Sequence, residues 1–382
     1  MTFSPKRYFE PNKAAENTCR PFGIYIHWPY CKSKCPYCDF FSQVKPHINQ
    51  ESIIDEYIKE LDFYHDYTAR EEVTSIFFGG GTPSLIKPQL IEKIINHIAR
   101  HWRISPKVEI SLEANPNTDD GTLFLNLKSA GINRLSLGVQ SLNDKDLKFL
   151  GRTHTLSQAL KSIEHVLKTF DNHSMDLIYA RPNQSLKSWQ EELQQAVSFG
   201  FKHLSLYQLT IEEGTFFAKK GIKELEEEIA ANMYRQTVSY LREHNYPRYE
   251  VSNFASSQYE SRHNKLYWQG DNYIGIGPSA HGRIQTQAGK IYAATHPCQM
   301  ENLSPEDRAE ELLFMGLRLQ TGIDKTLYLN RCSIPLDSFI NQPALARLSK
   351  MHLIDNTQTH LKLTDKGFLV MNAIVEQLIC PE

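Results

Sequence analysis

Residues 23–38 read Gly-Ile-Tyr-Ile-His-Trp-Pro-Tyr-Cys-Lys-Ser-Lys-Cys-Pro-Tyr-Cys, a β-rich run that leads directly into a loop with three cysteines. Similar runs recur along the first two-thirds of the chain. Each is followed by a polar or glycine-rich loop and then by an amphipathic helical stretch, an alternation that predicts β/α units. The six predicted strands span residues 23–27, 75–78, 108–112, 134–137, 175–178 and 203–206.

The stretches between these strands carry apolar residues at the spacing of one helix face. Two such sets are Ile91, Ile94, Ile95 and Ile98, and Leu156, Leu160, Ile163 and Leu167. Six parallel strands with outer helices fall short of a closed eight-stranded barrel, so the sequence predicts an α/β fold with a partial (β/α)6 TIM-like barrel. Functional groups are then expected in the loops at the carboxyl ends of the strands.

The remaining sequence divides the chain further. We predict an N-terminal extension over residues 1–21, the β/α core over 22–240, an aromatic-rich linking subdomain over 241–303 and a C-terminal domain over 304–382. The linking segment is predicted to be irregular from Tyr246 to Arg283. The last segment has predicted helices over 309–319 and 344–350, a hairpin-like run over 361–364 and a closing helix, an order typical of a winged helix.

Composition limits the function classes. The 382 residues are 41% hydrophobic and 23% charged, and 42 Lys+Arg against 44 Asp+Glu give a net charge of -2. No overall basic field favours nucleic acid, and the basic residues of the C-terminal domain are interspersed with Asp355 and Asp365. The chain shows no membrane-spanning run and no signal-peptide core, so we predict a cytoplasmic protein.

The seven cysteines fall into two groups. Cys31, Cys35 and Cys38 have the spacing C-x3-C-x2-C, whereas the others are isolated and are interpreted as structural thiols; these are Cys19, Cys298, Cys332 and Cys380. Three thiolates in one loop can hold three irons of a [4Fe-4S] cluster and leave the fourth iron open. Zinc with His27 as a fourth ligand is the alternative interpretation.

A glycine-rich loop follows the second predicted strand, where residues 77–84 read Phe-Phe-Gly-Gly-Gly-Thr-Pro-Ser. Glycines let a ligand approach the backbone closely, and the exposed amides and carbonyls can bind a charged head group. The loop has neither the lysine of a P-loop nor the spacing of a dinucleotide fingerprint. A simple tight turn is the alternative interpretation.

Together, the three-cysteine loop and the Gly-Gly-Gly-Thr-Pro loop in a six-strand β/α repeat resemble the radical S-adenosylmethionine (SAM) superfamily, and more narrowly its coproporphyrinogen oxidase-like branch. The resemblance covers nearly the whole chain from Phe22. It implies a [4Fe-4S] cluster held by the three cysteines, with SAM bound to the open iron. The positions that match SAM contacts of the family are Tyr25, Tyr37, Gly80, Gly81, Thr82, Glu113, Gln140, Arg152 and Asp176.

Two features bear on the choice between subfamilies. Oxygen-independent coproporphyrinogen III oxidases carry a further cysteine two residues after the third cluster ligand, where this chain has Phe40. The run Arg-His-Asn-Lys-Leu-Tyr-Trp over residues 262–268 is similar to the heme-binding motif of the heme chaperone subfamily HemW. The resemblance thus implies heme as a third cofactor, with His263, Asn264, Tyr267 and Trp268 as its site. The alternative is that these side chains only pack.

The favoured hypothesis is a heme chaperone that passes heme to an acceptor protein, and the alternative is a radical SAM decarboxylase of coproporphyrinogen III. The catalytic residues stay unassigned, and whether the chain is an enzyme stays open. The resemblance also implies other partners. They are a reductant such as flavodoxin or ferredoxin, a second copy of the chain in a homodimer, and membrane heme proteins contacted peripherally.

Overall fold

A computed structural model of the chain describes residues 20–116, 121–286 and 288–379. The predicted N-terminal extension lies outside the described residues except for its last two. Cys19 and Cys380 also lie outside them. Of the other thiols interpreted as structural, Cys332 is buried and Cys298 is partly exposed.

The β/α core contains six long strands joined by helical segments. The strands are β1 (Pro21–Trp28), β2 (Glu72–Gly80), β3 (Arg103–Ala114), β4 (Arg134–Gln140), β5 (Asn172–Tyr179) and β6 (His203–Gln208). The helices are α1 (Gln50–Thr68), α2 (Pro88–His101), α3 (Thr122–Ser129), α4 (Asp144–Phe149), α5 (Leu156–Thr169), α6 (Leu186–Ser198), α7 (Phe216–Lys219) and α8 (Glu227–Glu243). Each predicted strand is present and is longer than predicted, although β4 and β6 begin at the predicted residue.

The first six strands lie side by side in chain order and pair in parallel. Their carboxyl ends therefore lie at one edge of the sheet, where the cysteine loop and the glycine loop emerge. The predicted partial (β/α)6 barrel is confirmed. Within the described residues the sheet stays open, because its two outermost strands do not pair with each other.

The segment predicted to be irregular is largely regular, so that prediction is wrong. It contains β7 (Arg248–Glu250), β8 (Asn253–Ala255), α9 (Arg262–Gln269), β9 (Asn272–Ile276) and β10 (His281–Gln285), followed by β11 (Ile291–Thr295) and β12 (Gln299–Asn302). Strand β9 pairs in parallel with β1, and β8 pairs antiparallel with β6, so these strands extend the core sheet on both sides. Strands of three to five residues offer too few positions for a clear alternating pattern.

The predicted apolar face of α2 packs against the core, but that of α5 is rotated. In α5 the sheet is contacted mainly by Ala159, Ile163 and Val166, whereas Leu160 is 37% exposed. Small residues let the helix approach the sheet closely. The spacing therefore predicted the helix correctly and misplaced its buried face.

The C-terminal residues form a second apolar core. Its helices are α10 (Pro305–Gly316), α11 (Lys325–Cys332), α12 (Leu336–Phe339), α13 (Gln342–Lys350), α14 (Asp365–Phe368) and α15 (Met371–Ile379), and its sheet consists of β13 (Ile323–Asp324), β15 (His360–Leu363) and β14 (Ile354–Asn356) in that order. Helices followed by a small antiparallel sheet give the predicted winged-helix-like arrangement. Among the helices of the described residues, none combines the length and apolar character that a bilayer crossing requires.

Arg248 in β7 connects the two cores. Its guanidinium pairs with the carboxylate of Asp365 at 2.8 Å and lies 3.6 Å from the ring centroid of Phe368. Because Arg248 is buried, this contact is shielded from solvent on the core side. The C-terminal module is thereby held against the end of the sheet that carries β7 and β8.

Candidate functional site

A cavity of 330 Å³ opens at the carboxyl edge of the sheet. It is lined by nearly all the residues predicted to hold the cluster and SAM, which are Cys31, Cys35, Cys38, Tyr37, Gly80, Gly81, Thr82, Glu113, Gln140, Arg152 and Asp176. These residues come from the cysteine loop, from β2 to β5 and the loop after β2, and from the turn after α4, so only the folded chain brings them together. A volume of this size is within the range of small-molecule sites.

Backbone hydrogen bonds fix the cysteine loop against the glycine loop. The amide of Thr82 donates to the carbonyl of Tyr30 at 2.9 Å, and the amide of Gly81 donates to the carbonyl of Trp28 at 2.7 Å. The Thr82 hydroxyl also donates to Sγ of Cys31 at 3.5 Å. All three thiols are free and partly exposed, so three soft donors converge on the cavity.

The glycine loop leaves space that a side chain would fill. A Cβ added to Gly81 would lie 2.8 Å from the carbonyl oxygen of Tyr30 and 3.0 Å from Sγ of Cys31. Gly80 has a φ of +104°, and a Cβ there would meet the ring of His27 at 2.6 Å. The backbone of the glycine loop therefore lies close to the cysteine loop, and a simple tight turn does not require such closeness.

His27, the candidate fourth zinc ligand, has both ring nitrogens engaged. Nδ1 hydrogen-bonds with the hydroxyl of Tyr25 at 3.0 Å, and Nε2 hydrogen-bonds with the carbonyl of Phe41 at 3.0 Å. Tyr25, predicted to contact SAM, is thus turned toward His27 and is not part of the cavity lining. The donor set at the cavity is three thiols without an imidazole, which fits a cluster with an open iron better than a Cys3His zinc site.

Arg152 links the cysteine loop to the ends of β3 and β4. Its Nη1 donates to Sγ of Cys35 at 3.3 Å and to the hydroxyl of Tyr37 at 3.5 Å. Its Nη2 donates to the side-chain oxygen of Asn115 and, at 3.2 Å, to the carbonyl of Gly138. Its Nε is buried and has no hydrogen-bond partner in the described part of the chain, which leaves one donor of this guanidinium unused.

Two carboxyl groups lie opposite each other on β3 and β5. Burial and, to a smaller extent, the negative charge of Asp176 raise the pKa of Glu113 to about 8, although a hydrogen bond from the Gly80 amide opposes the shift. Burial also raises the pKa of Asp176, although serine hydroxyls lower it; Ser136 donates at 2.9 Å. Burial and the nearby negative charge therefore favour the protonated form of Glu113 at neutral pH.

Several residues of this lining are not among those predicted from the sequence. The end of β6 contributes Tyr207 and Gln208, and the third strand end contributes Asn115 beyond Glu113. Asn115 donates to the Thr82 hydroxyl at 3.2 Å and accepts from Arg152. The sequence did contain a signal for Tyr207 and Gln208. Ligand contacts are predicted at the ends of β3, β4 and β5, and the end of β6 lies at the same edge of the sheet.

The predicted heme motif lies elsewhere, in α9. His263 is buried, and its ring stacks on Phe77 with centroids 5.1 Å apart. Nδ1 hydrogen-bonds with the Ser75 hydroxyl at 2.8 Å, and Nε2 hydrogen-bonds with the Tyr267 hydroxyl at 2.6 Å. Burial lowers the pKa of His263 to about 3, so the imidazole is neutral at physiological pH. In this conformation neither ring nitrogen is available to an iron.

The other members of the motif are more accessible. Asn264 and Trp268 are partly exposed, and the guanidinium of Arg318 lies 4.6 Å from the Trp268 ring centroid. The structure thus brings the predicted cluster and SAM residues together, apart from Tyr25. It places the predicted heme residues on a separate helix packed against β1 and β2.

Comparison with known proteins assigns the family. The radical SAM superfamily model matches residues 25–196, and the HemN C-terminal domain model matches residues 303–370. The heme chaperone HemW of Buchnera aphidicola subsp. Acyrthosiphon pisum is 34% identical over 94% of this chain and 98% of its own length. The chain belongs to the HemW family of radical SAM proteins. The HemW of Buchnera aphidicola subsp. Schizaphis graminum is 41% identical over 71% of this chain and 72% of its length.

A solved structure agrees with the fold. Coproporphyrinogen III oxidase (HemN) from Escherichia coli superimposes with a TM-score of 0.78 and 20% identity, over 95% of this chain and 91% of that protein. At this identity the likeness shows the fold alone. Membership of the HemW family and the radical SAM superfamily implies a [4Fe-4S] cluster and SAM. The three thiols fit the cluster, and the glycine loop and the unpartnered Nε of Arg152 fit SAM beside it.

Proposed function

We propose that this chain is a heme chaperone that binds a [4Fe-4S] cluster, SAM and heme and transfers the heme to an acceptor protein. The observation that carries the proposal is the end of the cluster loop. Residue 40 is a phenylalanine whose side chain is 62% exposed at the cavity, where the oxidases it resembles carry a cysteine. Relatives named heme chaperone HemW that match nearly the whole chain support the same choice.

In this proposal Cys31, Cys35 and Cys38 hold the cluster. The glycine loop binds the charged head group of SAM through its backbone, and Arg152 balances negative charge at the cluster loop. Glu113 and Asp176 accept hydrogen bonds from the ligand, with Tyr37 and Gln140 completing the walls. Such a cluster can supply one electron to the sulfonium of SAM, and the chain's own part is to orient the ligand and exclude water.

We further propose that heme binds at the α9 motif. Ligation by His263 requires that its hydrogen bond with Ser75 or with Tyr267 be broken, so heme binding would be coupled to a rearrangement of these side chains. The neutral state of the imidazole favours this role, because only a neutral nitrogen has a lone pair for iron. Asn264, Tyr267 and Trp268 would then offer polar and aromatic contacts to the porphyrin.

The remaining partners belong to the same proposal. They are an acceptor protein for heme, a reductant such as flavodoxin or ferredoxin, a homodimeric partner and a peripheral contact with membrane heme proteins. The cytoplasmic location is also part of it. The balanced charge of the chain gives no support to nucleic acid as a further partner.

The test is a heme titration of the anaerobically reconstituted protein, followed by Soret absorbance. We expect saturable binding by the wild type, and an altered Soret spectrum or a loss of binding in His263→Ala. Ser75→Ala is the matched control, since it removes a hydrogen-bond partner of His263 and keeps the imidazole. The absence of saturable binding to the wild type would refute the chaperone proposal. Equal spectra for all three proteins would remove His263 as the ligand.

The oxidase alternative has its own assay. The reconstituted protein is incubated with SAM, a reductant and coproporphyrinogen III, and 5'-deoxyadenosine and decarboxylated porphyrinogen are quantified. We expect no increase in SAM cleavage when the porphyrinogen is added. An increase in SAM cleavage that depends on the porphyrinogen would refute the chaperone proposal and support the decarboxylase.

A further inference from the structure

Away from the cavity, three side chains on the outer helices converge on one point. Asp62 of α1 faces His97 and His101 of α2, and one ligand atom from each lies within 4.8 Å of the others. Nε2 of His97 is 2.8 Å from Oδ1 of Asp62, and Nε2 of His101 is 3.9 Å from the same oxygen. The two imidazoles stack with centroids 4.2 Å apart, which places both Nε2 atoms toward the carboxylate.

The backbone fixes the ring of His101 in the form that binds metals. Its Nδ1 lies 2.9 Å from the carbonyl oxygen of His97. A carbonyl only accepts, so the proton of the neutral ring is on Nδ1 and the lone pair of Nε2 faces Asp62. Metal-binding histidines are commonly oriented by such a bond from their other nitrogen. The same end of α2 is held by Nε2 of His65, which lies 3.0 Å from the His101 carbonyl.

The distances are close to those that a tetrahedral ion requires. Ligand atoms about 2.0–2.1 Å from zinc lie roughly 3.3 Å from one another. The distance from Nε2 of His97 to Oδ1 of Asp62 must therefore increase by about 0.5 Å. The distance from Nε2 of His101 to the same oxygen must decrease by about 0.6 Å. Side-chain rotations suffice for both changes, because Asp62 is 52% exposed and His101 is 36% exposed.

We propose that Asp62, His97 and His101 form a site for a divalent transition metal, with zinc as the preferred ion. Two imidazoles and one carboxylate are a donor set typical of zinc, and solvent supplies the fourth ligand at this exposed position. The neutral ring of His97 now carries its proton on Nε2 and donates it to Asp62. On metal binding the ring gives this proton to solvent and takes one from solvent on Nδ1, so Nε2 supplies the lone pair and the charge of the ring does not change.

This site is separate from the cluster. None of its three residues lines the cavity at the carboxyl edge, and it contains no thiol. Because Asp62 lies on α1 and the histidines lie on α2, a bound ion would cross-link two helices that pack against each other on the outside of the sheet. Binding to the folded state alone would raise the thermal midpoint of the protein.

The experiment is equilibrium dialysis of the cluster-loaded protein against micromolar Zn²⁺, with zinc and iron quantified per chain before and after. We expect one zinc per chain with unchanged iron. The double variant His97→Ala/His101→Ala and the variant Asp62→Asn should each weaken zinc binding at least tenfold. His244→Ala is the matched control, since His244 is an exposed helix-end histidine whose Nδ1 also bonds a carbonyl four residues earlier, at 2.7 Å.

Three results would overturn the proposal. They are no zinc uptake by the wild type, equal uptake by the wild type and the double variant, and zinc uptake that displaces an equal amount of iron. A second measurement guards against a folding defect in the variants. Zinc should raise the thermal midpoint of the wild type and of His244→Ala, and it should leave the midpoints of the two site variants unchanged.

Discussion

Nη1 of Arg152 donates a hydrogen bond to Sγ of Cys35 at 3.3 Å. Arg152 follows α4, whereas Cys35 lies in the loop after β1, so the contact joins two distant parts of the chain at the cavity. It also places a fixed positive charge beside one of the proposed cluster ligands. Hydrogen bonds and charges near ligand sulfurs are among the features that set cluster potentials.

Arg152→Gln is therefore expected to lower the reduction potential of the cluster by tens of millivolts, because the added electron loses a nearby positive charge. A redox titration followed by electron paramagnetic resonance measures it. Lys148→Gln removes the same charge from an exposed position on α4 and should leave the potential unchanged. Equal potentials for the wild type and Arg152→Gln would show that the guanidinium does not act on the cluster.

Glu113 should make SAM binding dependent on pH. Its pKa is raised to about 8, so the carboxyl group is protonated below that value and ionised above it. If the carboxylate contacts SAM, affinity rises by up to about tenfold per pH unit as the pH approaches 8 from below. The measurement is calorimetric titration of SAM at pH 6.5, 7.5 and 8.5.

Two variants separate this effect from the ligand's own titration, which is common to all the proteins. Glu113→Gln should lack the part of the pH dependence that belongs to the protein. Asp176→Asn removes the negative charge that helps to raise the pKa of Glu113, so the midpoint should move to lower pH. Identical pH profiles for all three proteins would exclude Glu113 as the titrating contact.

Gly81→Ala is expected to reduce iron content at least about threefold after reconstitution. The added Cβ would clash with the carbonyl of Tyr30, which is backbone and cannot rotate away, and would press on Sγ of Cys31. Iron per chain and the visible absorbance of the cluster measure the effect. Gly131→Ala is the control for general destabilisation, because a side chain at its φ of +107° is strained while its Cβ would meet only the side chain of Ile95. Equal losses of iron in both variants would contradict a local effect.

Acid should destabilise the protein steeply. Burial lowers the pKa of His154 and His173 to about 4, of His263 to about 3 and of His203 well below the ordinary value. The unfolded chain binds protons on these residues below about pH 6.5. Their stabilising contribution is thus complete above that pH and is lost as the pH falls toward 4, by about 1.4 kcal/mol per residue and pH unit.

Urea unfolding between pH 7 and 5 measures this loss. A variant with all three cluster cysteines replaced by alanine is used, so that acid loss of the cluster does not enter. In His154→Gln, the slope of the free energy of unfolding against pH should correspond to about one proton fewer than in this parent variant. A free energy of unfolding that is constant over this range would refute the prediction.

The sequence predicted those features that depend on local pattern. The strand, loop and helix of each β/α unit are predicted by the sequence of that unit alone. The cavity at the carboxyl edge could therefore be inferred from residues such as Cys31, Gly81 and Glu113. Features that depend on neighbours distant in sequence could not be inferred. The hydrogen bond of His263 with Ser75 joins α9 to β2 across 188 positions of the sequence. That of Tyr25 with His27 joins near neighbours, but it depends on side-chain rotamers that are set by packing.

The same limit applies to the outer surface. Asp62 and His97 belong to different helices, and their contact depends on the relative rotation of α1 and α2. Amphipathic spacing shows that a helix packs on the sheet, but α5 demonstrates that the buried face can be rotated from the predicted one. For that reason the zinc site appears only when the helices are placed in three dimensions.

The parallel pairing of β1 with β9 has a consequence for synthesis. Phe22 pairs with Asn272, so the outer edge of β1 stays without its partner until about 250 further residues have been made. At roughly 5–20 residues per second, a ribosome needs about 12 to 50 s for that length. Throughout that time a nascent chain presents unpaired backbone groups to other strands. Fragments truncated before β9 keep this open edge permanently, which makes them prone to aggregate.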